Sequence, residues 1–221
     1  ETRLTDSEVH TLLDQILCPS FDICPTASFN KSIKEVVFHR LQREQSAVLN
    51  FLSEQRSVSV NGAAGTGKTM LAVRRAQMNS ANSEPTLFLC YNERLCKYLR
   101  ERFSDRYIDF YNIDAFACHI CNTAVADYQL LSEKLCELFD EKQWNYKHVV
   151  IDEGQDFCSN NDEDQDFGSQ KEIADSGVVP LLKEIVSDSS IDGTFYIFYD
   201  KNQMVLFDVR VSSERVELPD Y

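Results

Sequence analysis

The stretch Gly62-Ala63-Ala64-Gly65-Thr66-Gly67-Lys68-Thr69 decides the reading of this chain. It follows a short β-like run, Val58-Ser59-Val60-Asn61, and opens a helix-like segment from Met70 to Met78. Strand, glycine turn and helix in that order form a cradle for a polyphosphate. The chain holds only seven glycines, and three of them fall in these eight positions. Side chains at Gly62, Gly65 and Gly67 would obstruct a phosphate group that must be wrapped by successive backbone N–H groups. Lys68 is expected to place its ammonium between the β- and γ-phosphates, and Thr69 to offer its hydroxyl to Mg²⁺. The helix that follows adds its positive amino-terminal end. Gly62, Ala63, Ala64, Gly65, Thr66, Gly67, Lys68 and Thr69 are therefore the candidate nucleotide-binding residues.

A second motif closes the apolar run His148-Val149-Val150-Ile151: it is Asp152-Glu153-Gly154-Gln155-Asp156. Two adjacent carboxylates leave a strand at the edge where open α/β sheets collect their ligands. Asp152 is the expected Mg²⁺ ligand together with Thr69, and Glu153 the group that orients and deprotonates an attacking water. The two motifs are expected to meet because neighbouring strands of one sheet carry them.

Bulk composition bounds the rest. At 221 residues and 43% hydrophobic the chain can bury a substantial core, and its length suits one domain with appendages. No run of about 18 apolar residues is present to span a bilayer. The first residues, Glu1-Thr2-Arg3, are neither a signal peptide nor an initiator methionine, so the chain reads as a cytoplasmic fragment. Its eight cysteines are scattered through apolar segments and read as reduced thiols. Cys118-His119-Ile120-Cys121 has the spacing of half a zinc site without a matching second pair, and it reads as a helix face. A net charge of −14 excludes a general polyanion-binding surface, so any nucleic-acid contact must be local. Much of the acid sits in Asn160 to Asp166, read as a solvated loop.

Along the chain, Asp6 to Leu17 reads as an amphipathic helix and Glu44 to Glu54 as another, with Ala47, Val48, Phe51 and Leu52 inward. After the glycine turn the pattern alternates between strand and helix. Thr86 to Tyr91 and Tyr107 to Tyr111 read as strands, each followed by a helix, Glu93 to Phe103 and Ala115 to Thr123. A further helix, Gln129 to Phe139, leads into His148 to Ile151. Pro180 is placed in the first turn of a helix running to Val186. Thr194 to Tyr199 and Arg215 to Leu218 read as the last strands. This alternation predicts an α/β fold, a mostly parallel sheet flanked by helices. Residues 1–40 are assigned to an N-terminal helical arm and 41–221 to the nucleotide-binding domain.

The phosphate loop combined with Asp-Glu-x-Gln-Asp resembles the UvrD/Rep-type helicases of superfamily 1. Weaker matches follow in that family's order. Leu41-Gln42-Arg43-Glu44-Gln45 resembles its Q motif, which implies that Gln45 reads the adenine edge. Leu87 to Asn92 resembles motif Ia, which implies contact of Tyr91 and Asn92 with single-stranded nucleic acid, and Tyr111 to Phe116 falls where motif Ib would lie. Phe198-Tyr199-Asp200-Lys201-Asn202-Gln203 resembles motif III, which implies a γ-phosphate sensor in Gln203 and a coupling role for Asp200. The resemblance implies a RecA-like P-loop ATPase domain that uses ATP and Mg²⁺ and acts on single-stranded nucleic acid, DNA by preference. It also implies a second RecA-like domain as partner, since nothing in this sequence corresponds to that half with its arginine finger. The arm before the Q motif resembles the branch in which a nuclease-related domain precedes the helicase. Met70 stands where many relatives carry arginine, and the interval from Phe116 to His148 is too short for the family's large inserted subdomain.

Two function classes stay open at this point. One is a helicase or translocase motor, and the other is a P-loop ATPase module that regulates a nuclease or another partner without unwinding. The acidic balance and the loose motif Ia favour the second, and the full set of motifs favours the first.

Overall fold

Long apolar runs with no polar alternation demand a sheet covered on both faces, and the sheet found here has that form. The structure, a computed structural model, describes residues 47–157, 168–200 and 214–217. Six strands, β1 (Ser57–Asn61), β2 (Thr86–Cys90), β3 (Ile108–Asn112), β4 (His148–Ile151), β5 (Thr194–Tyr199) and β6 (Glu214–Glu217), form one sheet. Their order is β3-β2-β4-β5-β1-β6, and every pairing is parallel. The helices are α1 (Lys68–Ala81), α2 (Glu93–Arg102), α3 (Ile113–Cys121), α4 (Tyr128–Asp140), α5 (Gly168–Ser176) and α6 (Val178–Ser187). A 3-10 turn spans Gly154–Phe157. The fold is thus the predicted α/β parallel sheet flanked by helices, as in a RecA-like P-loop domain.

The period of two along each strand sorts the core into two layers. Leu87, Leu89, Val149, Ile151, Phe195 and Ile197 face one way and pack with Phe116, Leu131, Leu135, Leu182 and Val186 of α3, α4 and α6. Phe88, Cys90, Val150, Tyr196 and Phe198 face the other way, joined by Val58 and Val60 of β1, and pack with Leu71, Val73 and Ala76 of α1 and Leu99 of α2. At about 25 cal/mol per Å² of apolar surface removed from water, these layers are the main force holding the sheet.

Three particulars differ from the sequence reading. The β1 and β4 strands are not neighbours, because β5 runs between them. Helical residues 47–52 turn Leu49 and Leu52 into the core, whereas Phe51 is 72% exposed and Ala47 is exposed as well. The three-residue spacing of the two leucines, with the Tyr196 hydroxyl donating to the Leu52 carbonyl, sets that facing and leaves Phe51 outside. Helix α5 carries too weak an apolar stripe to have been read as a helix. The helix read at Asp6 to Leu17 and the acidic loop at Asn160 to Asp166 lie outside the described residues. The five cysteines among the described residues are free thiols, and Cys118 and Cys121 gather no further metal ligands there. Among the described residues no helix is long and apolar enough to cross a membrane.

At the amino edge of the sheet, Thr86, His148 and Thr194 are register partners on β2, β4 and β5. The Thr194 backbone N–H donates to His148 Nδ1 at 3.1 Å, which places the ring proton on Nε2, facing Glu84 Oε2 at 3.0 Å. Lys147 Nζ completes the cluster on Glu84 Oε1 at 2.5 Å. Burial holds the His148 imidazole below its ordinary pKa, against the pull of Glu84. As pH falls below about 6.5, an unfolded histidine takes up a proton that the folded one refuses, so this residue subtracts stability in that range. We expect the thermal unfolding midpoint of the wild-type chain to fall more steeply between pH 7 and pH 5.5 than that of His148→Gln. Equal slopes in differential scanning calorimetry would contradict this account.

Candidate functional site

All the strands run in parallel, so their carboxyl ends share one edge, and both sequence motifs emerge there. After Asn61 the chain turns through the glycine loop into α1. Gly65 and Gly67 take φ of +83° and +86°, left-handed values that favour glycine. A Cβ at Gly65 would meet nothing within 4 Å, so backbone conformation, and no crowding from the protein, requires glycine there. Gly67 is the N-cap of α1 and supplies no side-chain cap, which leaves the first N–H groups of the helix facing the loop. Within the loop the Thr66 hydroxyl donates to the Ala63 carbonyl at 2.8 Å. The buried Lys68 Nζ donates to the same carbonyl at 3.0 Å.

Ala64, Gly65, Gly67, Lys68, Thr69, Met70 and Glu153 line one cavity of about 260 Å³. The glycine loop and the acidic pair therefore meet, although their strands are not adjacent. Asp152, directly after β4 and next to Glu153 in the chain, has 0% exposure, its backbone N–H donating to the Leu89 carbonyl at 2.9 Å. Burial pushes its carboxyl up to about 6, aided by the Glu153 charge and opposed by the Thr69 hydroxyl and Lys68. Neither carboxylate oxygen completes a hydrogen bond of ordinary geometry. Buried oxygens of that kind cost free energy unless something neutralises them. A hard cation with oxygen ligands suits Asp152 and Thr69 together, so these residues fit Mg²⁺.

Glu153 takes φ of +56° and turns the chain sharply out of β4 into the 3-10 turn. Gly154 has no room for a side chain, since a Cβ there would lie 2.6 Å from Ile197 Cγ1. The turn therefore presses directly on β5. Half-buried Asp156 is pushed up to about 6 by desolvation and then by Glu153.

The end of β5 touches both motifs. Gly62 N–H donates to the Tyr199 carbonyl at 3.0 Å, tying the phosphate loop to that strand. On the other side, the Asp200 N–H donates to Gln155 Oε1 at 3.1 Å, and Gln155 Nε2 donates to Glu153 Oε2 at 2.5 Å. Asp200 is buried at this junction.

Of the residues singled out from sequence, Lys68, Thr69, Asp152 and Glu153 are brought together, with the loop residues Gly62 to Gly67 around them. Gln45 and Gln203 lie outside the described residues. Tyr91 is half-buried against the core. Asn92 is the N-cap of α2, its Oδ1 accepting from Arg94 N–H at 2.9 Å and Leu95 N–H at 3.2 Å. On α2, Arg94, Lys97 and Arg102 are exposed, while Arg100 donates to the Phe110 carbonyl at 2.6 Å and lies over the Tyr111 ring. Two site residues escaped the sequence reading. Met70 lines the cavity and is 50% exposed, signalled only by its place after Lys-Thr. Gln155 bridges Glu153 and Asp200, signalled only by its place two residues beyond the acidic pair.

A family model described as the Schlafen group 3 DNA/RNA helicase domain matches residues 55–217, well over half of the chain, and the chain belongs to that family. No curated protein matches it. The domain is thus a helicase domain.

If the orphaned carboxylate of Asp152 is a cost accepted for a cation, removing its charge must relieve that cost. We expect Asp152→Asn to stabilise the nucleotide-free, metal-free protein at pH 7.5 by on the order of 1–3 kcal/mol. The same substitution is expected to abolish Mg²⁺-dependent nucleotide binding. Denaturant unfolding in EDTA and titration with a fluorescent ATP analogue measure the two effects, and a destabilised Asp152→Asn chain would count against the account.

Proposed function

We propose that this Schlafen-family helicase domain is the ATP-hydrolysing half of a motor of the UvrD/Rep type, acting on single-stranded nucleic acid, with DNA the first candidate. The observation that carries the reading is the meeting of Lys68, Thr69 and Glu153 on one cavity, with the fully buried Asp152 next to Glu153 in the chain.

The chemistry follows from the charges. Loop N–H groups and the start of α1 receive the phosphates, and Lys68 exchanges its Ala63 carbonyl for phosphate oxygens. Thr69 and Asp152 would hold Mg²⁺, which when bound offsets phosphate charge. Glu153, on the cavity wall, orients a water and accepts its proton. We assign adenine recognition to Gln45, γ-phosphate sensing to Gln203 and, to Asp200, a part in coupling that sensor to the nucleic-acid-binding side. A second RecA-like domain would bring the arginine that stabilises charge in the transition state, so this chain alone is expected to turn over slowly. Closure of such a cleft around ATP would move the strand by alternate gripping.

A second reading, a P-loop ATPase module that regulates a nuclease-related or other partner, draws on specific observations. The chain carries a net charge of −14, the Asn92 side chain is occupied in capping α2, and Arg100 is held against β3. The two readings part on whether nucleic acid stimulates hydrolysis and whether a tailed duplex is unwound.

In the intact protein that carries this domain, Lys68→Ala is expected to lower ATP hydrolysis by about 100-fold or more, as loss of a charge-stabilising group does. The check is single-turnover phosphate release with and without single-stranded DNA or RNA. Unchanged turnover in Lys68→Ala would end the ATPase assignment, and a rate indifferent to nucleic acid in the wild type would favour the regulatory module.

A further inference from the structure

The Gln155 side chain joins the acidic motif to the end of β5. Its amide makes two contacts of opposite polarity. Oε1 accepts from the Asp200 backbone N–H at 3.1 Å, and Nε2 donates to Glu153 Oε2 at 2.5 Å. The orientation is fixed by chemistry, because a backbone N–H only donates and a carboxylate only accepts. A residue with one acceptor and one donor on a planar head is therefore required. Aspartate or glutamate would face Glu153 with a like charge, and an apolar residue would serve neither partner. Gln155 is itself buried, so its bonds are shielded from competing water.

Its setting is rigid on the side of β5. Gly154 packs without space for a Cβ against Ile197 and within 3.2 Å of the Phe198 carbonyl. The Asp156 N–H returns to the Glu153 carbonyl at 2.9 Å and closes the 3-10 turn. The Tyr199 carbonyl, one residue before Asp200, accepts from Gly62 at the start of the phosphate loop. A shift of the Tyr199–Asp200 segment would thus be felt at the glycine loop through a backbone bond and at Glu153 through the Gln155 amide.

We propose that Gln155 is a positioning residue: it aims the Glu153 carboxylate into the nucleotide cavity and makes that aim depend on where the carboxyl end of β5 lies. This rests on the ATPase reading of the site given above. Gln155 touches no reacting atom in this scheme and acts through Glu153 alone. Its loss must then slow the chemical step while leaving nucleotide affinity in place.

The test uses the intact protein that carries this domain, with wild type, Lys68→Ala, Gln155→Glu, Gln155→Leu and the exchanged pair Glu153→Gln/Gln155→Glu. Gln155→Glu and Gln155→Leu are expected to lower kcat by about 10- to 100-fold, the range typical of residues that orient a catalytic group. The dissociation constant of a fluorescent ATP analogue should stay within about threefold of wild type. Unfolding of the nucleotide-free protein gives a readout independent of turnover. Gln155→Glu should lower the midpoint by on the order of 2–4 °C through like charge. The exchanged pair should recover that loss while remaining inactive, because it restores a donor facing an acceptor without restoring the base. Gln155 variants with wild-type kcat overturn the proposal, as does failure of the exchanged pair to recover the midpoint, or a fall in affinity matching the fall in kcat. If wild type and Lys68→Ala are equally inactive, the ATPase reading fails instead, and the exchange experiment still reports whether the amide bridge exists.

Discussion

A fully buried carboxylate whose oxygens complete no hydrogen bond of ordinary geometry is the constraint around which this domain is arranged. The surroundings of Asp152 disfavour its charge, burial being the largest of the influences that lift its carboxyl to about 6. The features that moderate the cost are the Thr69 hydroxyl, the Glu153 backbone and the Lys68 ammonium, two of them from the phosphate loop. They are effective only if the loop ending β1 is held against the turn ending β4. The two apolar layers of the sheet therefore do more than stabilise the fold, because they hold a destabilising group in register with its compensators. Functional sites commonly break one rule of folding in this way and are offset elsewhere.

The sheet order explains how the holding is done. With β5 between β1 and β4, no direct ladder joins the two motif strands, so the carboxyl end of β5 becomes the shared fixture. Tyr199 offers its carbonyl to the glycine loop, and Asp200 offers its N–H to the acidic motif. An adjacent arrangement would have brought the motifs together with no third element able to sense both. The inserted strand gives the site such an element, and its continuation leads into the segment assigned to γ-phosphate sensing.

Much of this was legible in the sequence. Five of the six strands are apolar or half-apolar runs bounded by turns, and the glycine loop and acidic pair announce the carboxyl edge by type and spacing. What the sequence hid is equally physical. Strand order depends on which apolar faces pair, and Val149, Phe195 and Leu87 are interchangeable in pattern. Phe51 looked like core, but the facing of helical residues 47–52 is set with the Tyr196 hydroxyl, on a strand far along the chain, donating to the Leu52 carbonyl. Helix α5 follows an acidic stretch and is anchored through the buried Ile173, with little periodic signal. Gln155 was visible as a letter in a motif, but its partners are a carboxylate two residues away and a backbone N–H 45 residues away.

The conformation of Glu153 follows from the same arrangement. A left-handed backbone at a non-glycine residue costs of order 1–3 kcal/mol and persists only where neighbours over-determine it. Here Gly154 must press on Ile197, Asp156 must close on the Glu153 carbonyl, and Gln155 must reach both partners, and these demands leave a single path for the chain. Glycine at position 153 would relieve the strain, yet among the described residues it would remove the only carboxylate that lines the cavity. A straight exit from β4 would carry that carboxylate past the phosphate loop. The strain at Glu153 is therefore the structural condition for placing two consecutive acidic residues in two environments, Asp152 fully buried and Glu153 on the cavity wall.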